Sequence, residues 1–387
     1  MSEYLARDPL ILSRARGPYV YDTGGRRYFD GVSSLWVNVH GHRVPAIDAA
    51  VRRQLGRMAH TTMLGPTHPE GIRLAADLVR IAPRGLTRVF FSDDGSTAVE
   101  AALKIAFQYW KQRPEGYRPR KTKFLCFTDA YHGDTVGAVS AGGIARFHGI
   151  FGPLLFRTLR APMANCYRCP LGKTFPRCDI ACLGEAERIL KRHAGEIAAV
   201  VIEPKVHGAA GIVVQPPGYL RRLRRLCDRH GVLLIADEVA TGFGRTGRMF
   251  ACGLEGIRPD LLCVAKALTG GYLPLAATLA TERIFRAFLG PPEAGRTFFH
   301  GHSYTGNPLA AAAARANLRL LRRRGFLAGV RRRARVLAAA LAPLRAHPHV
   351  GDVRQQGLMV GIELVADRAT RAPFPPARRM GNAVCEA

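Results

Sequence analysis

Short apolar segments alternate with longer amphipathic ones between residues 89 and 280, a pattern typical of a mostly parallel β-sheet flanked by helices. The predicted strands are Val89–Phe91, Phe124–Phe127, Ala199–Ile202, Leu233–Ala236, Leu262–Ala265 and Ala276–Ala280. A helix face is predicted after the first of them, since apolar residues recur at three- and four-residue steps, at Val99, Leu103, Ala106, Phe107 and Trp110. We therefore expect an α/β fold, in a chain whose 387 residues suffice for roughly two or three domains.

The net charge of +28 raises the question of a nucleic-acid partner, because a basic surface is the first sign of such a protein. Arginine supplies all but eight of the 57 basic residues, in helix-like stretches such as Arg221–Arg225 and Arg331–Arg335, without interleaved aromatic residues for base stacking. No apolar run approaches the roughly 18 residues of a membrane span. The first eight residues do not resemble a secretory signal. We expect a cytoplasmic protein with neither nucleic-acid nor membrane partners.

Two ionisable residues lie at the ends of predicted strands, where ligands of open α/β sheets gather. Lys266 follows the apolar run Leu261–Ala265 and precedes a flexible stretch, Ala267–Gly271. Asp237 ends the buried strand that begins at Leu233. A partly dehydrated lysine amine can form a Schiff base, and a carboxylate can pair with a protonated pyridine nitrogen. Together the two residues predict chemistry on pyridoxal phosphate.

A phosphate site is predicted where the amphipathic helix begins, after Asp94. The backbone amides of Gly95 and Ser96 have no partner within the first helical turn, and the helix dipole favours an anion there. A plain N-cap formed by Asp94 or Ser96 would explain the same residues. The lysine and aspartate at the other strand ends favour the phosphate interpretation.

Tyr131 follows the strand Phe124–Phe127 at its carboxyl end, in a loop that continues with His132 and Asp134. An aromatic ring at this place can lie flat on a pyridine face, with Val239 against the opposite face. Tyr-His pairs in loops commonly have only a structural role, so the prediction depends on the place of Tyr131 in the strand order. We expect the cofactor ring to be held between these two side chains.

Four of the nine cysteines fall in one loop that also contains proline and glycine. They are Cys166, Cys169, Cys178 and Cys182. Four thiolates in a short segment could close a tetrahedral zinc site, but the spacing is looser than that of a zinc ribbon with two tight knuckles. We expect free, reduced thiols and no metal, with zinc as the weaker alternative.

Six segments of the sequence resemble segments of a known enzyme family and occur in the same order as in that family. They are Ser92–Glu100, Tyr131–Thr135, Ile202–Pro204, Ala236–Gly247, Ala265–Gly271 and His300–Pro308. The chain resembles the class III aminotransferases, pyridoxal-phosphate enzymes of fold type I. The resemblance implies a large domain with a mostly parallel seven-stranded sheet and a smaller, here truncated, C-terminal α+β domain. It also implies boundaries: an N-terminal segment of the small lobe at 1–45, the cofactor-binding domain at 46–285, and a linking helix with the truncated domain at 286–387.

Within the class, Gly31–His42 most resembles the biotin-synthesis branch, which transfers an amino group to 8-amino-7-oxononanoate. The 4-aminobutyrate and ornithine branches carry a switch glutamate after their Glu-Pro segment, whereas Glu203–Gly208 is followed here by Ala209 and Ala210. The implied product is 7,8-diaminononanoate, with S-adenosylmethionine or lysine as amino donor. The alternatives are an ω-amino acid:pyruvate aminotransferase, or a truncated chain that binds cofactor or metal without turnover.

The resemblance also implies roles for individual residues. Lys266 would carry the cofactor and move a proton, Asp237 would hold the ring nitrogen, and Glu203 would support them. Gly95 and Ser96 would bind the phosphate of their own subunit, and Ser303 would reach the phosphate of the partner in a homodimer. The residues implied to face the substrate are Trp36, Tyr131, Asp134 and Arg245. His132, His300 and His302 are expected to be structural.

Both ends of the chain depart from the family pattern. The sequence starts shortly before Asp8–Ile11, where the family has a further segment with a substrate-contacting aromatic residue. It stops at Cys385–Ala387, before the strands that carry the family's carboxylate-binding arginine. We therefore expect this chain to bind pyridoxal phosphate with impaired turnover.

Overall fold

The computed structural model describes residues 9–386, so Ala387 and the first eight residues of the predicted N-terminal segment lie outside it. The strands are β1 (Leu12–Arg16), β2 (Tyr19–Asp22), β3 (Arg27–Phe29), β4 (Leu86–Ser92), β5 (Lys123–Phe127), β6 (Leu159–Ala161), β7 (Ile197–Ile202), β8 (Val206–His207), β9 (Val213–Val214), β10 (Leu233–Asp237), β11 (Leu261–Val264), β12 (Ala276–Thr281), β13 (Val350–Gln356) and β14 (Met359–Leu364). After a single helical turn at Ser33–Trp36, the α-helices are α1 (Pro45–Leu55), α2 (Pro69–Ile81), α3 (Gly95–Gln112), α4 (Val136–Ala141), α5 (Ala145–His148), α6 (Leu183–His193), α7 (Tyr219–Arg229), α8 (Glu282–Arg286), α9 (Pro308–Leu321), α10 (Phe326–Leu341) and α11 (Met380–Glu386).

The central sheet has seven strands in the order β4-β12-β11-β10-β7-β5-β6. Its neighbouring strands pair in parallel, except that β12 is antiparallel to both β11 and β4. The predicted α/β fold with a mostly parallel seven-stranded sheet is therefore confirmed, and all six strands predicted from apolar runs belong to this sheet. Strand β6 escaped prediction because its three residues, Leu-Arg-Ala, form no apolar run.

The core lies on both faces of this sheet. Strands β7 and β10 are buried along their full length, as expected for parallel strands covered by helices on both sides. Helix α3 packs on one face, and Nε1 of its Trp110 donates a hydrogen bond to the carbonyl of Ala198 at 2.8 Å. The apolar face predicted for α3 is wrong at Phe107, whose side chain is 40% exposed and lies beside the amine of Lys111. At 3.6 residues per turn, this position falls past the edge of the buried stripe.

Three small sheets lie outside the central one: the antiparallel β1-β2-β3 near the N-terminus, the two-stranded β8-β9, and the β13-β14 hairpin near the C-terminus. The hairpin contacts the central part of the chain through Arg354, which donates from Nη2 to the carbonyl of Gly211 at 2.8 Å. Helix α9 contributes alanine and leucine side chains to the same core as α2, with Leu318 and Leu74 among them. Within residues 9–386, no helix is long and apolar enough to cross a membrane.

Candidate active site

Nine of the predicted site residues line one cavity of about 1060 Å³ at the carboxyl ends of the parallel strands. They are Trp36, Gly95, Ser96, Tyr131, Asp134, Glu203, Asp237, Val239 and Lys266. Residues far apart in sequence meet there because parallel strands end at the same edge of a sheet. The structure thus brings together the amine, the carboxylate and the helix N-terminus that the sequence singled out.

Lys266 follows β11 after one residue and begins the short turn Lys266–Leu268. Its φ of 46° lies in the left-handed region, which is uncommon for a residue other than glycine. Burial lowers the pKa of its amine, and the carboxylates of Asp237 and Glu203 oppose this shift only in part. The amine nitrogen lies 4.7 Å from the ring centroid of Trp36. A lowered pKa increases the unprotonated fraction of the amine, as a nucleophilic lysine requires.

Asp237 ends β10 and is 4% exposed. Its Oδ2 lies 2.8 Å from Nδ1 of His132, and its Oδ1 accepts the amide of Val239 at 3.0 Å. His132 is fully buried, and although burial lowers its pKa, the hydrogen bond and the charge of Asp237 raise the pKa by more. We expected His132 to be structural only, and its contact with Asp237 was missed. The available signal was its position directly after Tyr131, at the same edge of the sheet.

Helix α3 begins with the N-cap that was considered as the alternative to a phosphate site. Oδ1 of Asp94 accepts the amide of Thr97 at 2.9 Å, and the hydroxyl of Thr97 accepts the amide of Asp94 at 3.0 Å. Gly95 and Ser96 lie between these two residues and line the cavity, so their amides are at the positive end of the helix dipole. The cap and an anion site are therefore compatible, because they use different amides.

Two glycines allow close packing at this end of the cavity. A Cβ added to Gly95 would lie 2.6 Å from Cγ1 of Val239, and one added to Gly133 would lie 2.0 Å from Oγ of Ser96. Gly133 also has a φ of 120°, which side-chain-bearing residues rarely adopt. The loops that follow β4 and β5 thus approach each other closely where the phosphate is predicted to bind.

We expect Gly133→Ala to lower the free energy of unfolding by about 1–3 kcal/mol more than Gly116→Ala does. Gly116 is a matched control, because its φ of 111° is similar but a Cβ there would meet nothing within 4 Å. The difference between the two variants therefore isolates the collision with Ser96 from the backbone strain that both share. Urea denaturation of the apo-proteins measures it, and equal losses would show that the two loops are not tightly packed.

Tyr131 and Asp134 form one wall of the cavity. The hydroxyl of Tyr131 donates to Oδ2 of Asp134 at 2.8 Å. Burial, and then this hydrogen bond, raise the pKa of the Tyr131 phenol, so the group is protonated at neutral pH. Its ring stacks on His148, with centroids 5.9 Å apart and planes at 20°. The Tyr131 ring is thus fixed before any ligand is bound.

Glu203 connects this wall to the wall formed by Trp36. Oε2 of Glu203 accepts the amide of Tyr131 at 3.1 Å, and Oε1 accepts the amide of Gly208 at 2.9 Å. A Cβ on Gly208 would lie 3.0 Å from the Trp36 ring, so that ring packs directly on the glycine. Burial raises the pKa of Glu203, but the hydrogen bond from His207 and neighbouring charges lower it by more. A buried, ionised carboxylate therefore holds both aromatic walls from behind.

Arg245 and Ser303 do not line this cavity in the described part of the chain. Arg245 is half-buried, and its guanidinium donates to the carbonyls of Trp36 and Asn38 at 3.0 and 3.1 Å. Ser303 is exposed, and its carbonyl accepts a hydrogen bond from Nε2 of His60 at 2.9 Å. Arg245 thus supports the segment that carries Trp36, and its contact with substrate stays a prediction, as does the reach of Ser303 into a partner's site.

The four clustered cysteines line a separate, small cavity of about 10 Å³. Among residues 9–386, no group of three or more His, Cys, Asp or Glu side chains is arranged to hold a metal ion. Burial, and then the neighbouring cysteines, raise the pKa of Cys182 to about 11, so that at neutral pH it is a thiol. The zinc alternative therefore gains no geometric support from the described residues.

The chemistry of the main cavity fits pyridoxal 5′-phosphate group by group. Lys266 offers an amine for the aldehyde, Asp237 a carboxylate for the ring nitrogen, and the N-terminus of α3 an anion site for the phosphate. The close approach of Gly133 to Ser96 keeps that anion site free of side chains that would fill it. Val239 and Tyr131 also line the cavity, as required for packing against a flat ring.

Comparisons with known proteins agree with this chemistry. An adenosylmethionine-8-amino-7-oxononanoate aminotransferase from Nitratidesulfovibrio vulgaris is 59% identical over 384 residues, which are 99% of this chain and 71% of that protein. A protein of the same name from Geobacter sulfurreducens is 52% identical over 386 residues, which are 100% of this chain and 84% of that protein. The crystal structure of such an enzyme from Methanocaldococcus jannaschii matches with a TM-score of 0.93 and 41% identity, covering 100% of this chain and 85% of that one.

A PLP-bound amine transaminase from an uncultivated Pseudomonas species matches with a TM-score of 0.91 and 39% identity, over 97% of this chain and 84% of that one. The sequence profile of class-III aminotransferases matches residues 4–386. These matches extend along nearly the full sequence and include each segment that builds the cavity. The chain therefore belongs to the class III aminotransferases, and its cofactor is pyridoxal 5′-phosphate.

Proposed function

We propose that this aminotransferase converts 8-amino-7-oxononanoate to 7,8-diaminononanoate in biotin synthesis. The observation that carries the proposal is that six relatives, at 42 to 59% identity, are all named for this amino acceptor. The site supports it, because Ala209 lines the cavity beside Trp36 where other branches of the class have their switch glutamate. The amino donor is S-adenosylmethionine or lysine.

Each residue of the site has a separate role in transamination. Bound pyridoxal phosphate supplies an electron-withdrawing ring that stabilises negative charge on the carbon that exchanges its amino group. Lys266 attaches the cofactor and, when its amine is free, accepts a proton at Nζ and returns it. Asp237, oriented by His132, keeps a proton on the ring nitrogen. The amides of Gly95 and Ser96 hold the phosphate at the positive end of α3.

Trp36, Tyr131, Asp134 and Arg245 are proposed to form the substrate side of the site. Trp36 and Tyr131 present flat apolar surfaces to the carbon chain of the acceptor, and the Asp134 carboxylate can accept a hydrogen bond from its amine. Arg245 acts through the backbone carbonyls of Trp36 and Asn38 that it holds, and its guanidinium is a candidate contact for the acceptor.

The direct test supplies the purified holoenzyme with 8-amino-7-oxononanoate and either S-adenosylmethionine or lysine, and measures 7,8-diaminononanoate by mass spectrometry. We expect product with one of the two donors and none when the donor is omitted. Spectra of the holoenzyme with each donor alone identify the donor, because the first half-reaction converts the cofactor to its amine form. A holoenzyme that binds cofactor yet forms no product with either donor contradicts the proposal and supports a chain without turnover.

A second candidate is an ω-amino acid:pyruvate or amine aminotransferase. It is favoured by the similarity to an (S)-enantioselective ω-transaminase from Thermomicrobium roseum, with a TM-score of 0.92 and 35% identity. Incubation with an ω-amino acid or a chiral amine and pyruvate distinguishes it, because alanine would then form without 8-amino-7-oxononanoate. Alanine formation faster than diaminononanoate formation would favour this candidate.

We also propose a homodimer with shared active sites, in which Ser303 reaches the phosphate bound by its partner. The exposure of Ser303 outside its own cavity supports this arrangement. The described fold further supports the proposed divisions at residues 45 and 285, since the central sheet is built from residues 86–281. The nine unpaired cysteines suit a reducing compartment such as the cytoplasm.

Mixed dimers test the shared site. Lys266→Ala and Ser303→Asp subunits are each expected to be inactive alone, the second because a carboxylate repels the phosphate. Co-expression of the two is expected to restore about one quarter of wild-type activity. About half of the dimers are then mixed, and one of the two sites in each mixed dimer has both wild-type residues. Absence of recovery in dimers verified as mixed, or full activity of Ser303→Asp alone, would contradict the arrangement.

A further inference from the structure

His148 differs in its burial from its neighbours in a segment that lines one side of the cavity. This segment comprises α5 and the turn after it, and its apolar side chains are exposed: Phe147 by 49%, Ile150 by 84% and Phe151 by 47%. His148 is only 6% exposed. The segment thus buries one polar ring against the cavity wall, while its apolar side chains stay exposed, with Phe147 and Phe151 also lining the cavity.

The inward ring meets Phe147 of its own segment edge-on, with centroids 6.1 Å apart, and it also contacts two proposed substrate-side residues. Its plane stacks on the Tyr131 ring, with centroids 5.9 Å apart and planes at 20°. Its Nε2 lies 3.1 Å from Oδ1 of Asp134. Since Oδ2 of Asp134 accepts the Tyr131 hydroxyl at 2.8 Å, the three side chains form a closed ring of contacts. Displacement of any one of them therefore loosens the other two.

A histidine that merely fills the core would be surrounded by apolar side chains and would satisfy its polar atoms locally. His148 does neither, because its ring stacks on Tyr131, its Nε2 contacts the exposed Asp134, and its Nδ1 has no hydrogen-bond partner within the described residues. His148 gives the Asp134 carboxylate a second anchor beside the Tyr131 hydroxyl, on a side chain that is 74% exposed. Anchoring to a buried ring reduces the rotamer entropy that substrate binding would have to overcome.

We propose that His148 is a positioning residue that fixes the Tyr131 ring and the Asp134 carboxylate in their substrate-binding geometry. The inference rests on the proposed function, because it takes Tyr131 and Asp134 as contacts of the amino acceptor. His148 acts on binding of the acceptor and leaves the chemistry at Lys266 unchanged. Its removal therefore affects KM for the acceptor more than kcat.

Three substitutions separate its two contacts. His148→Ala removes both, His148→Gln keeps a hydrogen-bond donor for Asp134, and His148→Phe keeps a ring for Tyr131. We expect His148→Ala to raise KM for 8-amino-7-oxononanoate by about tenfold, with kcat changed by less than about threefold. Each of the other two variants is expected to recover part of the loss. His193→Ala is the matched control, since it removes a similar histidine–carboxylate pair, with Glu196, outside the cavity.

Crystal structures of the variants give a readout that needs no substrate. We expect the Tyr131 ring and the Asp134 carboxylate to move in His148→Ala and to stay in place in His193→Ala. A lowered melting temperature with KM and both side chains unchanged would show a purely structural role and overturn the proposal. Should His148→Ala not fold, unchanged KM in both His148→Gln and His148→Phe would overturn it equally. If the wild type prefers another acceptor, the proposed function fails, while displacement of the two side chains still supports positioning by His148.

Discussion

Replacement of Lys266 by alanine is expected to reduce transaminase activity by about 10⁴-fold or more, because no second lysine among the described residues lines the cavity to attach the cofactor and move the proton. The apo-protein is expected to melt at least as high as the wild type. The wild-type amine is buried deeply enough for its pKa to be lowered, so keeping it charged costs folding free energy that alanine does not. Steady-state kinetics and thermal denaturation measure the two effects.

Lys104→Ala is the appropriate control for this substitution. Lys104 is an exposed lysine of α3 whose amine lies 3.0 Å from Nδ1 of His300, so its loss removes a charge without touching the cavity. We expect it to retain nearly full activity. A Lys266→Ala enzyme with more than a few per cent of wild-type turnover would assign the chemistry to another residue.

Replacement of Asp237 by asparagine is expected to lower kcat by about 10³-fold. Asparagine has the same size and can still accept the amide of Val239, but it carries no negative charge to keep a proton on the cofactor nitrogen. The pKa of His132 is expected to fall as well, because the carboxylate that raises it is lost. Kinetics with saturating acceptor, together with cofactor titration, separate slower chemistry from weaker cofactor binding.

The control is Asp228→Asn, which removes a surface carboxylate that lies 2.7 Å from Arg224 and far from the cavity. It is expected to leave kcat unchanged, because Asp228 lies away from the cavity and an exposed ion pair contributes little to the free energy of folding. If Asp237→Asn also left kcat unchanged, the ring nitrogen would not depend on this carboxylate, and the proposed electronic role of Asp237 would be wrong.

Lys266 and Asp237 could be predicted from sequence because two independent local signals coincide at each of them. Each residue ends an apolar run of strand length, and each has a side chain with a defined role on a pyridine aldehyde. The rule that parallel strands end at one edge of the sheet then brings them together without further information. The N-terminus of α3 was predictable for the same reason, since Gly95 follows both a strand and a capping residue.

The segment that carries Trp36 could not be predicted in this way. Ser33, Ser34, Leu35 and Trp36 have φ values of 54°, 47°, 65° and 69°, although none of them is glycine. Distant contacts hold this left-handed turn, since the Arg245 guanidinium that binds the Trp36 carbonyl is 209 residues away. Asp30 accepts the amide and hydroxyl of Ser34 at 2.9 and 2.8 Å. Local propensity favours other conformations here, so only tertiary contacts specify the turn.

The contacts of His132 and His148 could not be predicted for a related reason. A histidine in a loop can be a surface residue, a core residue or a partner of a carboxylate, and only the fold decides among these. Asp237 is 105 residues from His132, and no local pattern connects them. His148 is buried in a segment whose apolar residues are exposed, so the hydrophobic periodicity of the sequence gave no indication that its ring turns inwards.

Borohydride reduction of the holoenzyme, followed by peptide mass spectrometry, tests the central claim most directly. Reduction makes the bond between the cofactor and its lysine permanent, so the labelled residue can be identified. We expect stoichiometric cofactor mass on the peptide that contains Lys266 and none on Lys121 or Lys205, two lysines that are buried outside the cavity. An unmodified Lys266 in protein saturated with pyridoxal phosphate, or a label on another lysine, would contradict the account.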